Sequence, residues 1–476
     1  MSEYNGERLT RLPAKSLVLF VALLLCTGVA VLGILSLPWV KPRTGQAPHI
    51  EVIARGSGPF EAGVGVAPID VPLGAPIAGF AHLAYRSDGA DPVTARALVL
   101  CSGETRIAIV SVELLLVPDA LRAAVMARLA GLQLSGVILT ATHTHASPGG
   151  YYDNLAFERA ALGPYDPAMR DRVANAMAES VRRALATEEP ARLSVARGRD
   201  ALILDGRDGA EPDGRMTVLR VDRPGGQPVA EVTVFGSHPT TLGLHNRRIS
   251  GDWPSRFYAH SKRGVRLLLQ GPVGDQSASV PESWGPRTPE TYGAALDRAV
   301  AALSFGPPDP APTLAYAAAE VTLPTPEPTL APGWLRQAAT NVGSMFLPAQ
   351  AQVSALRLGP VVLLFTPCEI MSGPAARWRE MGGAEAEVVS IADGYLGYVD
   401  TPERTAQHES HPERFYYGPA LAPTLERGLS LVVGALREAD KPVSSPAAGA
   451  VDASGTGASG GSAPARREGA GERTGR

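Results

Sequence analysis

The sequence predicts a mixed α/β domain preceded by one apolar helix long enough to span a membrane. Three observations carry that prediction. β-rich runs of strand length alternate with helix-periodic segments between about residues 59 and 440. An almost uninterrupted apolar run lies ahead of them, at 16–40. The 476 residues, 45% hydrophobic and 19% charged, suffice for one large buried core or two modest ones.

Residues 1–15 carry Arg8, Arg11 and Lys15, a basic flank that favours a cytoplasmic start, although Lys41 and Arg43 follow the run and weaken the bias. From Leu17 to Val40 only small or weakly polar residues interrupt the apolar sequence (Thr27, Gly28, Gly33 and Ser36). At ~1.5 Å rise per residue, such a stretch crosses a hydrocarbon core of ~30 Å. A cleaved signal peptide has a shorter apolar core and a small-residue cleavage site. Here Pro38-Trp39 follows instead, which suits an interfacial anchor. The leucines before Cys26 argue against a lipoprotein. The expectation is a retained single-pass anchor with the domain outside the cytoplasm, in a bacterial cell envelope.

Residues 41–58 read as a linker. Strands are then expected at Ala95–Cys101, Arg106–Val112, Val137–Thr142, Leu193–Ala196, Met216–Val221, Ala230–Phe235, Leu267–Gln270, Val353–Leu358 and Val361–Thr366. Helices are expected over Asp119–Leu129, Pro167–Ala186, Tyr292–Leu303 and Leu421–Leu436. Residues 441–476 are Ala, Gly, Ser and Thr with scattered charges. They cannot bury enough apolar surface to offset ordering entropy, so they are read as disordered. The folded unit is 59–440.

A net charge of -3 with no basic run in the interior gives no electrostatic case for nucleic acid. Three cysteines exclude a disulfide scaffold and a cysteine-based zinc site, and Cys101 and Cys368 read as buried thiols.

Four polar clusters stand just past β-rich runs. The first is Ala-Thr-His143-Thr-His145-Ala-Ser-Pro-Gly-Gly. Residues two apart in an extended chain point to one side, so both imidazoles can face one site, and Pro148-Gly149-Gly150 lets backbone approach a ligand. The second is Gly-Ser-His238-Pro, which equally suits an ordinary turn. The third is Thr-Pro-Cys-Glu369-Ile-Met-Ser, where a helix N-terminus would also attract the carboxylate. The fourth is Asp-Gly-Tyr395-Leu-Gly-Tyr398-Val-Asp-Thr-Pro, which packing alone could explain. Two or three histidines plus a carboxylate, without cysteine, is the donor set of a catalytic zinc site. Zinc is favoured but not forced, because other divalent ions accept N/O ligands.

These clusters, in this order, resemble the neutral/alkaline non-lysosomal ceramidase family. Gly63-Val-Gly-Val-Ala-Pro-Ile-Asp with Ile77-Ala-Gly-Phe resembles its opening signature. Ser250-Gly-Asp, Gly274-Asp-Gln-Ser277 and Leu356-Arg-Leu-Gly-Pro resemble later blocks. The resemblance implies the fold of that family's N-terminal catalytic domain, with His143, His238, Glu369 and Tyr398 as Zn2+ ligands. It implies His145 as a hydrogen-bonding or proton-transfer partner and Arg207 as the substrate-site arginine. Ser277 matches a serine discussed in the family as a nucleophile, but the residues after it differ. The tyrosine-rich segment that follows the last ligand is shorter here, with His408 where a tyrosine could be lost. The short polar tail is not expected to form the immunoglobulin-like C-terminal domain of the longer family members.

The expected activity is zinc-dependent hydrolysis of the amide bond of ceramide or a similar N-acyl lipid. An amidase or esterase acting on another envelope substrate is the alternative, and a catalytically silent binding protein is a third reading. The apolar Trp334, Met345, Phe346 and Leu347 suit either lipid contact or core, with core favoured.

Overall fold

The computed structural model describes residues 14–41, 43, 46–80, 87–327, 331–407 and 414–438. Three βαβ units organise the domain. In the first, strand Thr105–Val112 leads through helix Asp119–Leu129 to the parallel strand Gly136–Ala141. In the second, Pro228–Phe235 leads through Asp252–Ala259 to Val265–Gln270. In the third, Val361–Phe365 leads through Ser372–Gly382 to Ala386–Val389. Parallel neighbours need a crossover, and a helix supplies it each time.

Each parallel pair forms one edge of a separate sheet completed by antiparallel strands. The first sheet adds Thr94–Ser102, Phe60–Pro68 and the short Glu189–Pro190. The second adds Arg215–Asp222 and Arg192–Arg199. The third adds Gln350–Leu358, Leu314–Thr322 and His49–Arg55. The inner faces of all three share one apolar core, in which Leu100, Ile109, Leu219, Leu267, Leu356 and Phe365 are buried together. Outer faces are covered by helices: Pro167–Leu185 on the first, Pro289–Ala301 and Asp252–Ala259 on the second, Leu421–Glu438 on the third. The mixed-sheet α/β prediction stands.

The expected strands and helices appear with ends shifted by a few residues. Four strands of four or more residues were not expected, the first being Phe60–Pro68 of the first sheet. His49–Arg55 lies inside the stretch read as a linker, where it pairs with Leu314–Thr322 from His49↔Glu320 to Arg55↔Ala315. Leu314–Thr322 itself is alanine-rich and reads as helix by propensity. It forms a strand because small side chains let helix Leu421–Glu438 lie close, at Gly428, where a Cβ would run into Val321 and Val353. Ala386–Val389 is only four residues long.

The backbone is helical over Ala14–Leu35. Side chains are described only for the second half of that helix and Val21. Among the described residues no helix is long and apolar enough to cross a membrane, so the structure does not support the expected anchor at 16–40. The segment 441–476 and His408 lie outside the described residues. Cys101 and Cys368 are buried free thiols, as expected. Trp334 and Met345 are 70% and 72% exposed, against the expectation of core, while Phe346 and Leu347 are half-buried.

The three sheets bring their parallel C-terminal strand ends together. Thr140 bridges Ala392, and the Ser390 amide donates to the Gln270 carbonyl at 2.7 Å. The Gln270 side chain ties the ends further. Its Nε2 donates to the Thr142 and Ser237 carbonyls at 2.7 and 3.1 Å, and its Oε1 accepts from the Ser237 amide at 3.2 Å. Thr142 and Ser237 immediately precede His143 and His238, so one fully buried amide joins two of the sequence-predicted clusters. Gln270→Leu removes all three bonds and strands two buried carbonyls. Equilibrium urea denaturation is expected to show a loss of about 2–4 kcal/mol.

Candidate metal centre

Each candidate ligand follows a strand end in one of the βαβ units. His143 comes two residues after Gly136–Ala141, where the chain turns sharply with φ of 65°. A non-glycine residue in this region carries strain that its surroundings must hold in place. Here the ring does so: Nδ1 lies 2.8 Å from the Leu115 carbonyl. A carbonyl only accepts, so Nδ1 carries the proton and Nε2 faces the site. His238 follows Pro228–Phe235, with its Nδ1 3.2 Å from the Gln276 carbonyl. Glu369 and Tyr398 are register partners in a short parallel bridge, which fixes carboxylate and phenol side by side.

The four side chains converge. His143 Nε2 is 3.1 Å and His238 Nε2 3.0 Å from the same oxygen, Glu369 Oε2. The Tyr398 hydroxyl is 3.2 Å from His238 Nε2. All four residues are 2% exposed. His145, half-buried, points its Nε2 to within 3.4 Å of His143 Nε2, and its Nδ1 has no partner among the described residues. One nitrogen each from His143, His145 and His238 lie within 4.8 Å of one another.

This arrangement fits a divalent cation by its chemistry. The His143 Nδ1 proton leaves a lone pair on Nε2 that meets a carboxylate oxygen at 3.1 Å. Two lone pairs at that distance repel unless a positive charge lies between them, as a proton or as a metal. Burial alone would raise the Glu369 carboxyl, but His143 and His238 overcome it and hold it well below the usual carboxylate range. Burial, aided by the Arg207 guanidinium, pushes His238 down to about 3, against the pull of Glu369. Burial followed by the charges of His143 and His238 lowers His145 well below its ordinary value. Neutral imidazoles and an ionised carboxylate are the forms that bind metal. Burial and Glu369 push the Tyr398 phenol upward, so a cation is what would draw out its phenolate.

The other predicted residues also have definite places. Arg207 is not a solvated loop residue. Its NH2 lies 2.6 Å from the Gly274 carbonyl and 2.8 Å from His238 Nδ1. Ser277 bridges His238 through the backbone, and no described hydrogen bond reaches its hydroxyl. Gly149 and Gly150 do allow close approach, but to protein: their amides donate to Pro76 and Leu162 carbonyls. The loop of the opening signature lies against His145. Gly79 has φ of 127°, a Cβ there would collide with His145, and the Phe80 and His145 ring centroids are 5.1 Å apart.

Three further contributors had no role in the sequence reading. Tyr395, half-buried, donates its hydroxyl to the second Glu369 oxygen at 2.6 Å. Arg414 donates to the Tyr398 hydroxyl at 2.9 Å. Asp252, buried with φ of 56°, accepts from the Thr241 hydroxyl and from the Leu242 amide at 3.2 Å, which orders the loop after His238. Tyr395 carried a signal in its place three residues before Tyr398 and Asp252 in the Ser250-Gly-Asp block, whereas Arg414 carried none.

Residues 60–202 match the family model described as neutral/alkaline non-lysosomal ceramidase, N-terminal. Over that stretch the chain is similar to that family. A neutral ceramidase of Mycobacterium tuberculosis is 31% identical over 221 residues, which are 40% of this chain and 34% of that protein. Neutral ceramidase A of Dictyostelium discoideum is 29% identical over 131 residues, 24% of this chain and 18% of the other. The chain thus aligns with about a third, or less, of these relatives. In fold it is similar to the crystal structure of neutral ceramidase from Pseudomonas aeruginosa, with a TM-score of 0.69 and 19% identity over 80% of this chain and 75% of that one. A ceramidase complexed with C2 gives 0.65 and 20% identity over 80% and 76%. His143 and His145 fall inside the stretch matched to the ceramidase model, whereas His238, Glu369 and Tyr398 lie beyond it.

Tyr395→Phe leaves one buried oxygen of Glu369 without its donor. Support of this kind around a metal ligand is worth about 10–100-fold in affinity. Competition with a chromogenic chelator is expected to show a zinc affinity weakened by that factor. In the parent protein, adding zinc is expected to raise a tyrosinate difference band in the ultraviolet, and Tyr398→Phe is expected to abolish it.

Proposed function

We propose that the protein is a zinc-dependent hydrolase of the amide bond in ceramide or a closely similar N-acyl lipid. His143, His238, Glu369 and Tyr398 would hold the metal, which when bound supplies a Lewis acid for the carbonyl and a water of lowered pKa. One observation carries the reading: two imidazole nitrogens of fixed orientation face a single buried carboxylate oxygen at 3.0 and 3.1 Å. Similarity to neutral ceramidases over part of the chain supports the amide chemistry and the lipid substrate class.

The surrounding side chains divide the remaining work. His145 is half-buried beside the cluster, with a buried, unpartnered Nδ1. It would carry a proton toward the departing amine nitrogen, the task of a general acid. Arg207 brings guanidinium N–H groups against His238 and would donate to the carbonyl oxygen as charge develops there. Tyr395 and the Leu115 carbonyl keep Glu369 and His143 oriented. Ser277 has no task in this scheme. The domain would stand outside the cytoplasm on the anchor read at 16–40, a placement that rests on the sequence.

A second reading, an amidase or esterase for another envelope substrate, is favoured by one feature. Arg414 sits against the Tyr398 hydroxyl and brings a guanidinium to the ligand set. A fixed cation there alters which substituents a substrate can carry near the reacting carbonyl.

His143→Ala is the decisive variant. It is expected to lose zinc by metal analysis and to reduce ceramide hydrolysis by at least about 10³-fold, the scale of one essential electrostatic contributor. Removing metal from the parent protein with a chelator is expected to abolish turnover, and zinc is expected to restore it. Zinc-dependent cleavage of other N-acyl compounds with none of ceramide would shift the assignment to the second reading.

A further inference from the structure

One apolar surface plays no part in the metal centre. Helix Ala14–Leu35 ends against helix Arg336–Phe346, where the buried Asn341 side chain donates to the Leu35 and Leu37 carbonyls at 2.6 and 2.7 Å. The last carbonyls of a helix lack partners within it, so the second helix caps the first. Exposed large apolar side chains stand on both partners of this junction: Ile34 with Leu37 and Trp39 just past the first helix, and Val342 and Met345 with Trp334 just before the second. Large apolar side chains exposed together mark an interaction surface. Tryptophan in particular suits the boundary between lipid headgroups and acyl chains, where one end of the ring is wet and the rest dry.

Charge agrees with a lipid partner. No Asp or Glu occurs from Arg8 to Ile50 or from Ala331 to Cys368, while Lys41, Arg43 and Arg336 flank the exposed apolar residues. Segments with cations and no anions are attracted to lipid phosphates. The surface also has a short aromatic route to the site. The Phe346 carbonyl accepts from Asn154 Nδ2 at 2.8 Å, and the same nitrogen donates to the Tyr152 hydroxyl at 3.2 Å. Tyr152 packs on Phe157 with centroids 5.3 Å apart, and Phe157 packs on Tyr395 at 5.8 Å. Tyr395 is the residue that holds Glu369.

We propose that these two helices form a docking face for a lipid bilayer, with Trp39 and Trp334 seated among the headgroups and Met345 against the acyl chains. Docked this way, the aromatic route from Phe346 to Tyr395 lies on the lipid side of the domain. The inference concerns lipid contact alone and stands apart from the hydrolase reading.

Tryptophan fluorescence of the full chain, reconstituted in phosphatidylcholine–phosphatidylglycerol vesicles, tests it. Subtracting the spectrum of Trp334→Phe isolates Trp334, whose exposed position makes the substitution harmless to the fold. The isolated emission is expected to be blue-shifted and to lose most of its intensity when the lipids carry brominated acyl chains. Equal emission in brominated and ordinary vesicles, at the wavelength of tryptophan in water, would overturn the proposal. A blue shift that grows with protein concentration and ignores bromination would also overturn it, by putting a second copy of the chain on this face.

Discussion

A carboxylate taken out of water is the constraint on which the rest depends. Glu369 is 2% exposed, and an ionised carboxyl in such a place costs several kcal/mol unless partners replace its hydration. The replacement comes from far along the chain: His143, His238 and Tyr395 each contribute a group within about hydrogen-bond distance. None of these partners is local in the helical or strand sense. The three sheets must therefore dock with their parallel strand ends together before the carboxylate is tolerable. The fully buried Gln270 and the bridge between Thr140 and Ala392 are the ties that make them do so.

Strain gathers at the same place. His143, Asp252, Ile391 and Asp393 all have positive φ. Such conformations cost on the order of 1–3 kcal/mol each and last only where neighbours over-determine them. Ile391 is the most telling, because a β-branched residue is rarely found there. Its amide donates to the Cys368 carbonyl at 3.0 Å and its carbonyl accepts from Ala141 at 3.2 Å. Asp393 is held by the Leu139 amide and by Arg122. The distortions lie in loops leaving strand ends, while the strands beneath remain regular. The well-packed core between the sheets is what allows the rim to be irregular.

Much of this could be read in the sequence, and the reason is periodicity. Strands such as Gly136–Ala141, Pro228–Phe235 and Val361–Phe365 are β-rich runs that give way to polar residues, which draws attention to His143, His238 and Glu369. What periodicity cannot supply is which strand end meets which. Convergence of the four clusters depends on docking between sheets, a tertiary fact with no local trace. Arg207 is the sharpest case: in sequence it is one more arginine in a loop, and only the Gly274 carbonyl and His238 turn it inward. Leu314–Thr322 failed for the opposite reason, since its alanines favour helix by propensity while the sheet needs them small. The strand His49–Arg55 was hidden by its polar neighbours, and its alternating half-buried and exposed residues mark an edge position.

The order of the ligands along the chain carries a consequence for biosynthesis. The first imidazole emerges from the ribosome at residue 143, whereas the phenol follows only at 398, after all three crossover units. A growing polypeptide can therefore own strong nitrogen donors for most of its translation without owning a site. On the proposed ligand set, metal acquisition would be an event of the finished chain, and ion content would read out whether the last unit has closed.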